Sequence, residues 1–308
     1  MGTKAVRREG CGVKIVLFGS TGQVGWELQR SLSILGDVIA LDFQSQDHCG
    51  DFSKPEGIAQ TVHALQPDVI VNAAAHTAVD KAESEPDFAR LLNATTPGVL
   101  AQAAKSIDAL LVHYSTDYVF DGSGQAPRGE DAQTSPLSVY GLTKLEGEQL
   151  IQASGCKHLI FRTSWVYAAR GGNFAKTMLR LAQDRERLTV IDDQFGAPTG
   201  ADLLADVTAH AIAHVQQHPE ALGLYHCVAA GETNWHSYAQ FVIDEAKRIQ
   251  PELPFKVQQV EAVPTSAFPT PATRPHNSRL HTTKLQQSFG LQLPHWQKGV
   301  ARMLREIL

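Results

Sequence analysis

The chain has 308 residues, of which 43% are hydrophobic and 19% charged, so it can build a sizeable core and lacks the composition of a disordered protein. Its 27 basic and 32 acidic residues give a formal net charge of −5, without the basic excess of a general nucleic-acid binder. No apolar run approaches the roughly 18 residues that indicate a membrane span. We therefore expect neither a nucleic-acid nor a membrane partner.

The N-terminal segment and the cysteines favour a cytoplasmic location. Basic residues precede Val13, but the apolar run at 15–18 is too short for the core of a signal peptide. The cysteines at positions 11, 49, 156 and 227 form no C-x-x-C pair, which favours free thiols over a zinc site. His210 and His214 are spaced i, i+4 without an acidic residue in the pattern, so we interpret them as a helix surface feature.

Short apolar runs alternate with helical patterns over the first 160 residues. The runs predict strands at residues 13–18, 38–41, 68–74, 109–114 and 158–163. The intervening patterns predict helices at 26–35, 58–65, 87–92, 98–105 and 137–153. Strands that are apolar on both faces lie inside parallel sheets. The alternation therefore predicts an α/β fold with a Rossmann-type, doubly wound parallel sheet.

The pattern becomes less regular after about residue 165. Helices are predicted at 173–184, 201–217, 235–250 and 296–308, and the proline-rich stretch 251–275 excludes a long helix. We predict an NAD(P)-binding Rossmann domain at 13–165. Residues 166–308 would form mainly a smaller α+β substrate lobe, with some segments returning to the first domain. This lobe would lie across the carboxyl end of the sheet, where ligands bind in such folds.

A glycine-rich loop, Gly19-Ser-Thr-Gly22-Gln-Val-Gly25, follows the first strand and opens the first helix. In such a loop the glycines permit a tight turn, close approach of a pyrophosphate, and close helix–strand packing. Backbone N–H groups and the helix dipole then face the phosphates. Asp42 ends the second strand, where its carboxylate can accept hydrogen bonds from an adenosine ribose or can simply cap the strand end. Together these features predict dinucleotide binding.

Two later segments extend the predicted cofactor site. Asp51 and Phe52 lie in the next loop, where they could flank an adenine. The third strand ends in Ala73-Ala-Ala75-His76-Thr77, and small residues there allow a cofactor to lie close to the backbone. For His76 the alternative is that it only fills space beside the cofactor.

Tyr140 and Lys144 are spaced i, i+4 and so share one helical face. A cation near a phenol favours the phenolate, so the pair predicts a lowered Tyr140 pKa and proton transfer at a carbonyl or alcohol. Thr116, at the end of the fourth strand, supplies a hydroxyl that could orient the same carbonyl. Taken alone, the Tyr–Lys spacing more often belongs to an amphipathic helix at the protein surface.

The order of these motifs resembles the extended branch of the short-chain dehydrogenase/reductase superfamily, and within it the dTDP-4-dehydrorhamnose reductase family. The likeness covers nearly the whole chain after residue 13. It is carried by the segments FGSTGQVGWELQ, VNAAAHTAVDKAESEP, HYSTDYVFDG, SPLSVYGLTK, FRTSWVYA, NFAKTML, DQFGAPTG, YHCVAAGETNWHSYA and AVPTSAFPTPATRPHNSRL.

This resemblance implies an activity: reduction of the C4 ketone of dTDP-4-dehydro-L-rhamnose by NADPH or NADH. The product, dTDP-L-rhamnose, would serve cell-surface polysaccharide synthesis, including lipopolysaccharide O-antigen. A dTDP-sugar is therefore the expected small-molecule partner. The preference between the cofactors stays open, because Asp42 would repel a 2′-phosphate whereas the family resembles dual-specificity enzymes.

The resemblance also implies residue roles. Tyr140 would donate the proton, Lys144 would assist it and bond the nicotinamide ribose, and Thr116 would hold the C4 carbonyl. The cofactor would be lined by Gly19, Gly22, Gln23, Val24, Gly25, Asp42, Asp51, Phe52, Ala75, His76, Thr77 and Tyr114. The substrate would be contacted by Thr116, Asp117 and Trp165.

Further substrate and metal contacts are less specific in the sequence. Arg274 and Arg279 fit a diphosphate clamp, because guanidinium matches phosphate geometry; otherwise they are solvated charges. Trp165 has the alternative of an ordinary core residue. Enterobacterial relatives resemble dimers with Mg²⁺ held by three carboxylates, and the matching positions here are Glu27, Asp202 and Glu306. The shorter Asp202 leaves Mg²⁺ binding and a homodimer open.

Two alternatives remain. A sugar-nucleotide dehydratase or epimerase of the same branch would share the fold, but the dehydratases resemble Thr-Asp-Glu where this chain has Thr116-Asp117-Tyr118. A non-catalytic regulatory subunit of the methionine adenosyltransferase type would use the same fold for binding alone. The intact set of Thr116, Tyr140 and Lys144 favours an enzyme.

Overall fold

The structure, a computed structural model, describes residues 12–308, so the basic N-terminal segment and Cys11 lie outside the described residues. Its main feature is a parallel sheet of six strands. These are β1 (Val13–Phe18), β2 (Gly36–Leu41), β3 (Val69–Asn72), β4 (Leu110–Thr116), β5 (His158–Thr163) and β10 (Gly223–His226). Their order across the sheet is β2-β1-β3-β4-β5-β10. The predicted Rossmann-type α/β class is confirmed.

Helices cover both faces of this sheet. They are α1 (Gln23–Leu32), α2 (Pro55–Leu65), α3 (Val79–Ser84), α4 (Pro86–Arg90), α5 (Thr96–Ser106), α6 (Val139–Ser154) and α8 (Ala201–Val215). On one face α1 and α8 bury Leu28, Leu32 and Ile212 against alternate strand residues such as Ile15. On the other, α2, α5 and α6 pack on Val16 and its neighbours. Because the strands are apolar on both faces, both helix layers exclude water from them.

The observed bounds differ from the predicted ones in a few places. Helix α1 begins at Gln23 rather than at residue 26, because the glycine loop already runs into the first turn. Separate helices were expected at 87–92 and 98–105, but a π-helical turn, Leu91–Thr95, joins α4 to α5. No strand was expected at Gly223–His226, whose four residues are too few to show a pattern.

A smaller lobe is formed mostly by the second half of the chain. Its helices are α7 (Phe174–Asp184), α9 (Trp235–Ile249) and α11 (Trp296–Ile307), and its strands are β6 (Val166–Tyr167), β7 (Arg187–Ile191), β8 (Phe195–Gly196), β9 (Thr199–Gly200), β11 (Thr233–Asn234) and β12 (Gln259–Val263). Tyr238 and Trp296 lie in its core, between α7, α9 and α11. Strand β12 pairs in parallel with β7, so the proline-rich region contains a strand and no long helix.

The second half of the chain also contributes to the sheet. Helix α8 packs against α1, and β10 adds the outermost strand beside β5. Helix α10 (Thr283–Phe289) packs against β10 and α8 and buries Leu285 and Phe289 in the core of the sheet. Within residues 12–308 no helix combines the length and the apolar character that a membrane crossing requires.

Candidate active site

The order in which strands are added to the sheet reverses at β1, because β2 lies on one side of β1 and β3 lies on the other. Ligands bind at the carboxyl ends of the strands beside such a switch point. The glycine loop lies there. Gly19 has φ +81°, and a Cβ on it would lie 2.6 Å from the Ala74 nitrogen; a Cβ on Gly25 would collide with the Gly19 carbonyl oxygen. Both glycines are therefore required for the close turn, while the loop itself faces the cleft.

A cleft of about 480 Å³ opens along the carboxyl ends of β1, β3, β4 and β5. It brings together residues that are far apart in the sequence. The predicted site residues that line it are Gly22, Gln23, Val24, Ala75, Thr77, Tyr114, Thr116, Asp117, Tyr140, Lys144 and Trp165. It runs along the strand ends from the glycine loop to Trp165, where ligands bind in folds of this kind.

Thr116 and Tyr140 are placed by the ends of two elements. Thr116 is the last residue of β4, and its hydroxyl accepts the Tyr118 N–H at 3.1 Å, so the strand turns sharply there. Ser138 caps α6 by accepting the Gly141 N–H, which puts Tyr140 in the first turn of that helix. The Thr116 hydroxyl itself donates to Asp117 Oδ1 at 3.1 Å. Thr116 and Tyr140 both line the cleft, although they come from different elements.

The pKa of Tyr140 differs from the sequence-based expectation. Burial raises it to about 12, and the hydrogen bond with Thr116 only partly opposes this shift. The predicted lowering of this pKa by Lys144 is wrong. The ammonium nitrogen of Lys144 lies 2.6 Å from the Tyr114 carbonyl oxygen and 3.2 Å from His113 Nε2, so it is directed to the strand rather than to the phenol.

Lys144 is only 2% exposed, so the alternative of a solvent-facing helix surface does not apply to it. Burial lowers its pKa to about 8, and the negative charge of Glu148, one turn further along α6, opposes this shift. Buried lysines are rare unless they are paired or functional. Its position in the cleft wall makes it a candidate for binding ligand hydroxyls.

Other polar groups in the cleft lack partners. The hydroxyls of Ser115 and Thr163 are buried without a hydrogen-bond partner. Burial raises the pKa of Asp117 to about 6, although Thr116 donates a hydrogen bond to its Oδ1 at 3.1 Å. The Oδ2 atom of Asp117 is buried without a partner. An unsatisfied buried polar atom costs about 1–3 kcal/mol, so a polyhydroxylated ligand would recover free energy here. Together with the glycine loop, these groups fit a dinucleotide beside a sugar.

Trp165 follows β5 and lines the cleft with φ +50°, a left-handed conformation that is rare for a bulky residue. Its indole stacks on Trp235, the first residue of α9. Trp165 is partly exposed rather than buried in a core, so the alternative of an ordinary core tryptophan is not supported. Strained backbone of this kind persists where the surroundings fix it, which is common at binding sites.

Several predicted cofactor residues lie outside the cleft lining. The Asp42 carboxylate accepts the Gln44 N–H at 2.8 Å, as a strand-end cap would. Phe52 is buried against Phe18, so its ring is not available to an adenine. His76 is turned away, with Nε2 2.6 Å from a Glu85 carboxylate oxygen. Asp51 accepts the Ser53 N–H and hydroxyl, and these bonds lower its pKa despite partial burial.

The two arginines considered for a diphosphate clamp are separately paired. Arg274 donates to Asp80 at 2.8 Å, which ties the smaller lobe to α3. Arg279 donates to Glu232 at 2.6 Å and lies over the ring of Phe195. Neither lines the cleft as found, although one nitrogen of Arg274, Nη1, is buried without a partner.

The three carboxylates considered for Mg²⁺, Glu27, Asp202 and Glu306, line one surface pocket. Asp202 forms an ion pair with Arg302, and Glu27 lies near Arg30. Across residues 12–308, no group of three or more His, Cys, Asp or Glu side chains is arranged to hold a metal ion. Two of the three carboxylates, Asp202 and Glu27, therefore already have arginine partners.

Sequence reasoning missed several residues of the cleft. Ser115, Tyr118, Thr163, Ser164 and Trp235 all line it. Ser115, Tyr118 and Ser164 each adjoin a predicted site residue, and Thr163 is the last residue of β5, so their position was a usable signal. Trp235 lies in the smaller lobe, 70 residues after Trp165 in the sequence, so no local pattern connects the two.

The chain is similar to known proteins over nearly its whole length. Residues 13–308 match the family described as RmlD substrate binding domain. The dTDP-4-dehydrorhamnose reductase of Shigella flexneri is 63% identical over 96% of this chain and 98% of its own length. The crystal structure of the corresponding Clostridium acetobutylicum enzyme has a TM-score of 0.85 at 35% identity, covering 96% of this chain and 99% of that one.

A second solved structure adds a ligand. The dTDP-4-dehydrorhamnose reductase of Bacillus anthracis, determined in complex with NADP, also has a TM-score of 0.85, at 32% identity over 96% of this chain and 99% of that one. The resemblance drawn from the sequence motifs is thereby confirmed. With its fold, its cleft and these full-length likenesses, the chain belongs to the dTDP-4-dehydrorhamnose reductase family.

Proposed function

We propose that this protein reduces the C4 ketone of dTDP-4-dehydro-L-rhamnose to dTDP-L-rhamnose with NADPH or NADH, the last step in making that sugar nucleotide. The observation that carries the proposal is the single cleft that begins at the glycine loop and is lined by Thr116, Tyr140 and Lys144. The names of the relatives, at up to 63% identity, supply the substrate class.

The chain's own groups suit proton donation. Because burial holds the pKa of Tyr140 near 12, the phenol keeps its proton at neutral pH, which is the state that a donor needs. Thr116 would hold the ketone oxygen beside this phenol. A bound reduced nicotinamide ring would supply the hydride. The alkoxide left at C4 is a stronger base than a phenolate, so it would take the Tyr140 proton.

The remaining residues would bind and orient the ligands. Gly22, Gln23 and Val24 offer loop and helix N-terminal backbone to the pyrophosphate. Lys144 would bind ribose hydroxyls, and Trp165 and Asp117 would contact the sugar. Residues 13–165 would hold mainly the cofactor, and 166–308 mainly the dTDP-sugar, apart from α8 and β10. Arg274 would have to leave Asp80 before it could bind a diphosphate.

The test is a coupled spectrophotometric assay. Loss of absorbance at 340 nm on adding dTDP-4-dehydro-L-rhamnose, with NADPH and NADH in parallel, is the expected result. Tyr140→Phe should lower kcat about 10²- to 10⁴-fold while cofactor binding is retained. Tyr225→Phe, a buried phenol outside the cleft that donates to the Ala221 carbonyl, is the control and should stay active. Absence of any substrate-dependent oxidation in the wild type would refute the proposal.

The alternatives predict different results. A dehydratase needs a carboxylate at the position after Asp117. This chain has Tyr118 there, and burial raises the pKa of Tyr118 and so keeps its phenol neutral. An epimerase would keep NAD⁺ bound through purification, whereas a reductase exchanges its cofactor each turnover. A purely regulatory subunit would bind a dinucleotide without oxidising it.

The cell compartment and assembly belong to the same proposal. Cys49, Cys156 and Cys227 are free thiols, which fits a reducing cytoplasm where NADPH is made. A homodimer with Mg²⁺ at Glu27, Asp202 and Glu306 is testable by sedimentation with and without EDTA. A sedimentation coefficient that does not respond to EDTA would argue against a metal-dependent dimer.

A further inference from the structure

A buried chain of hydrogen bonds lies behind Lys144, on the side away from the cleft. Asn72 is the last residue of β3 and is 1% exposed, and His113, on the adjacent strand β4, is also 1% exposed. Asn72 Nδ2 lies 3.0 Å from His113 Nδ1, and His113 Nε2 lies 3.2 Å from Lys144 Nζ. The proposed function makes no use of either residue.

The orientation of the Asn72 amide is fixed by the backbone. Its Oδ1 accepts the Ala74 N–H at 3.0 Å, so the amide nitrogen must face the histidine ring. An amide nitrogen can only donate, and therefore His113 Nδ1 must accept. A neutral imidazole carries one proton, which is then left on Nε2, the nitrogen that faces Lys144.

This tautomer decides which form of Lys144 suits the contact. An ammonium has only donors, so an Nε2–H group facing it would leave two donors opposed. A neutral amine has a lone pair that can accept the Nε2–H, while one of its own N–H groups donates to the Tyr114 carbonyl oxygen at 2.6 Å. If Nε2 carried no proton, the ring would carry no proton at all, because Nδ1 accepts the hydrogen bond from Asn72 and is therefore unprotonated.

We propose that His113, held as the Nε2–H tautomer by Asn72, is a positioning residue that donates a hydrogen bond to Lys144 and stabilises its neutral amine. The relevance of this contact to catalysis rests on the proposed function. A stabilised neutral amine makes Lys144 a group that can release its proton within the site. Tyr114 and His113 together then fix the amine at two points and leave one N–H for the cleft.

Other charged groups around Lys144 do not replace this contact. Glu148 on α6 would favour the ammonium, but it is paired with Arg162 at 2.6 Å, which reduces its effect. The other ionisable groups on α6 are Tyr140 and Glu146. The elements packed against α6 also carry Asp80, Lys81, Glu83, Asp87, Arg90, Lys105, Tyr114, Asp117, Tyr118 and His158. Glu146 and Arg90 pair with each other, Glu83 accepts the Val139 N–H, and Lys105 donates to the Ser154 carbonyl oxygen. Burial likewise keeps His113 neutral by lowering its pKa.

The direct test is nitrogen NMR of the protein, free of added cofactor and labelled with ¹⁵N-histidine. Couplings between ring protons and the two nitrogens identify which nitrogen carries the proton, and His113→Gln assigns the signal by its loss. We expect His113 to hold its proton on Nε2 across the neutral pH range. A proton on Nδ1, or a doubly protonated ring, would overturn the proposal. This measurement needs neither substrate nor turnover.

A second measurement follows Lys144 itself. The ¹³Cε shift of Lys144, assigned with Lys144→Met, is recorded against pH in the wild type, in His113→Gln and in Asn72→Leu. In His113→Gln the new side-chain amide can turn its carbonyl oxygen to the ammonium, and in Asn72→Leu the ring is free to expose a bare Nε2. Both changes should move the Lys144 midpoint upward by about one pH unit, since one neutral hydrogen bond is worth about 1 kcal/mol.

His226→Gln is the matched control. His226 is a fully buried histidine on the outermost strand, where its Nδ1 lies 3.1 Å from the Arg128 carbonyl oxygen, away from Lys144. This variant should leave the midpoint unchanged. An unchanged midpoint in both His113→Gln and Asn72→Leu would contradict the proposal even if the protein reduces the sugar nucleotide. Conversely, a confirmed tautomer in a protein without reductase activity would refute only the proposed function.

Discussion

The indole of Trp165 stacks on the indole of Trp235, with ring centroids 3.7 Å apart and planes inclined by 18°. Trp165 follows the last residues of β5, and Trp235 begins α9, so the pair joins the sheet to the smaller lobe. Gln194 accepts the Trp235 indole N–H at 3.1 Å and fixes its ring. The stack therefore forms a rigid wall of the cleft, opposite the glycine loop.

Replacing Trp235 should weaken sugar binding. Trp235→Leu removes a stacked aromatic pair worth about 0.5–1.5 kcal/mol, so we expect KM for the dTDP-sugar to rise roughly 2- to 12-fold. The dissociation constant of the reduced cofactor, measured by fluorescence titration, should not change. Phe241→Leu, an aromatic residue of α9 that packs on Trp296, serves as the control. Equal effects on sugar and cofactor would argue against a role for the wall in sugar binding.

Thr116→Val keeps the shape of the side chain but removes the hydroxyl that lines the cleft together with Tyr140. We expect kcat to fall by about 10²-fold, as for loss of one donor to a developing oxyanion, with a smaller change in KM. Stopped-flow measurement of cofactor oxidation separates the chemical step from product release. A variant with the wild-type rate would exclude Thr116 from holding the ketone.

The reaction should slow as the solution becomes alkaline. Burial lowers the Lys144 pKa to about 8, so the ammonium that would hold the ribose is lost as the pH rises through that value. The Tyr140 phenol, with a pKa of about 12, stays protonated over the same range. We expect kcat/KM for the cofactor, which reports the free enzyme, to decline above about pH 8. A profile that stays flat well into the alkaline range would show that the Lys144 charge is not needed.

Glu148 and Arg162 form a buried ion pair behind the site, with side chains 2% and 5% exposed. Glu148→Gln leaves the guanidinium without its counter-charge and should lower the free energy of unfolding by about 3–5 kcal/mol. Glu146→Gln, two residues away, breaks the more exposed pair with Arg90 and should cost no more than about 1 kcal/mol. Urea denaturation of both variants gives the comparison. If both variants lost a similar amount of unfolding free energy, burial would not make the Glu148–Arg162 pair more important for stability than the Glu146–Arg90 pair.

Asp42 should influence the choice of cofactor even though it caps a turn. Its carboxylate lies near the end of β2, where it would repel the 2′-phosphate of NADPH. Asp42→Asn keeps an oxygen for the Gln44 N–H and removes the charge, so the ratio of kcat/KM for NADPH to that for NADH should increase several-fold. The ratio is measured by the 340 nm assay with each cofactor. An unchanged ratio would leave Asp42 with a structural role alone.

The sequence by itself determined the sheet and the position of the site along it. Strand and helix periodicities, the glycine loop, and the spacing of Tyr140 and Lys144 are local patterns, so they are readable without knowing any distant contact. They predicted β1 and β5 with their observed bounds and named most residues of the cleft wall. Resemblance to known motifs then supplied the family, which the full-length likenesses confirm.

Only the tertiary structure decided the chemical state of that site. The stack of Trp165 on Trp235, the arrival of β10 beside β5, and the contact of His113 with Lys144 each join residues from separate segments. The pKa of Tyr140 was expected to fall and instead rises, because burial by the whole fold outweighs the spacing of one helical turn. Burial and hydrogen-bond partners depend on packing between distant segments, and no local pattern of residues contains that information.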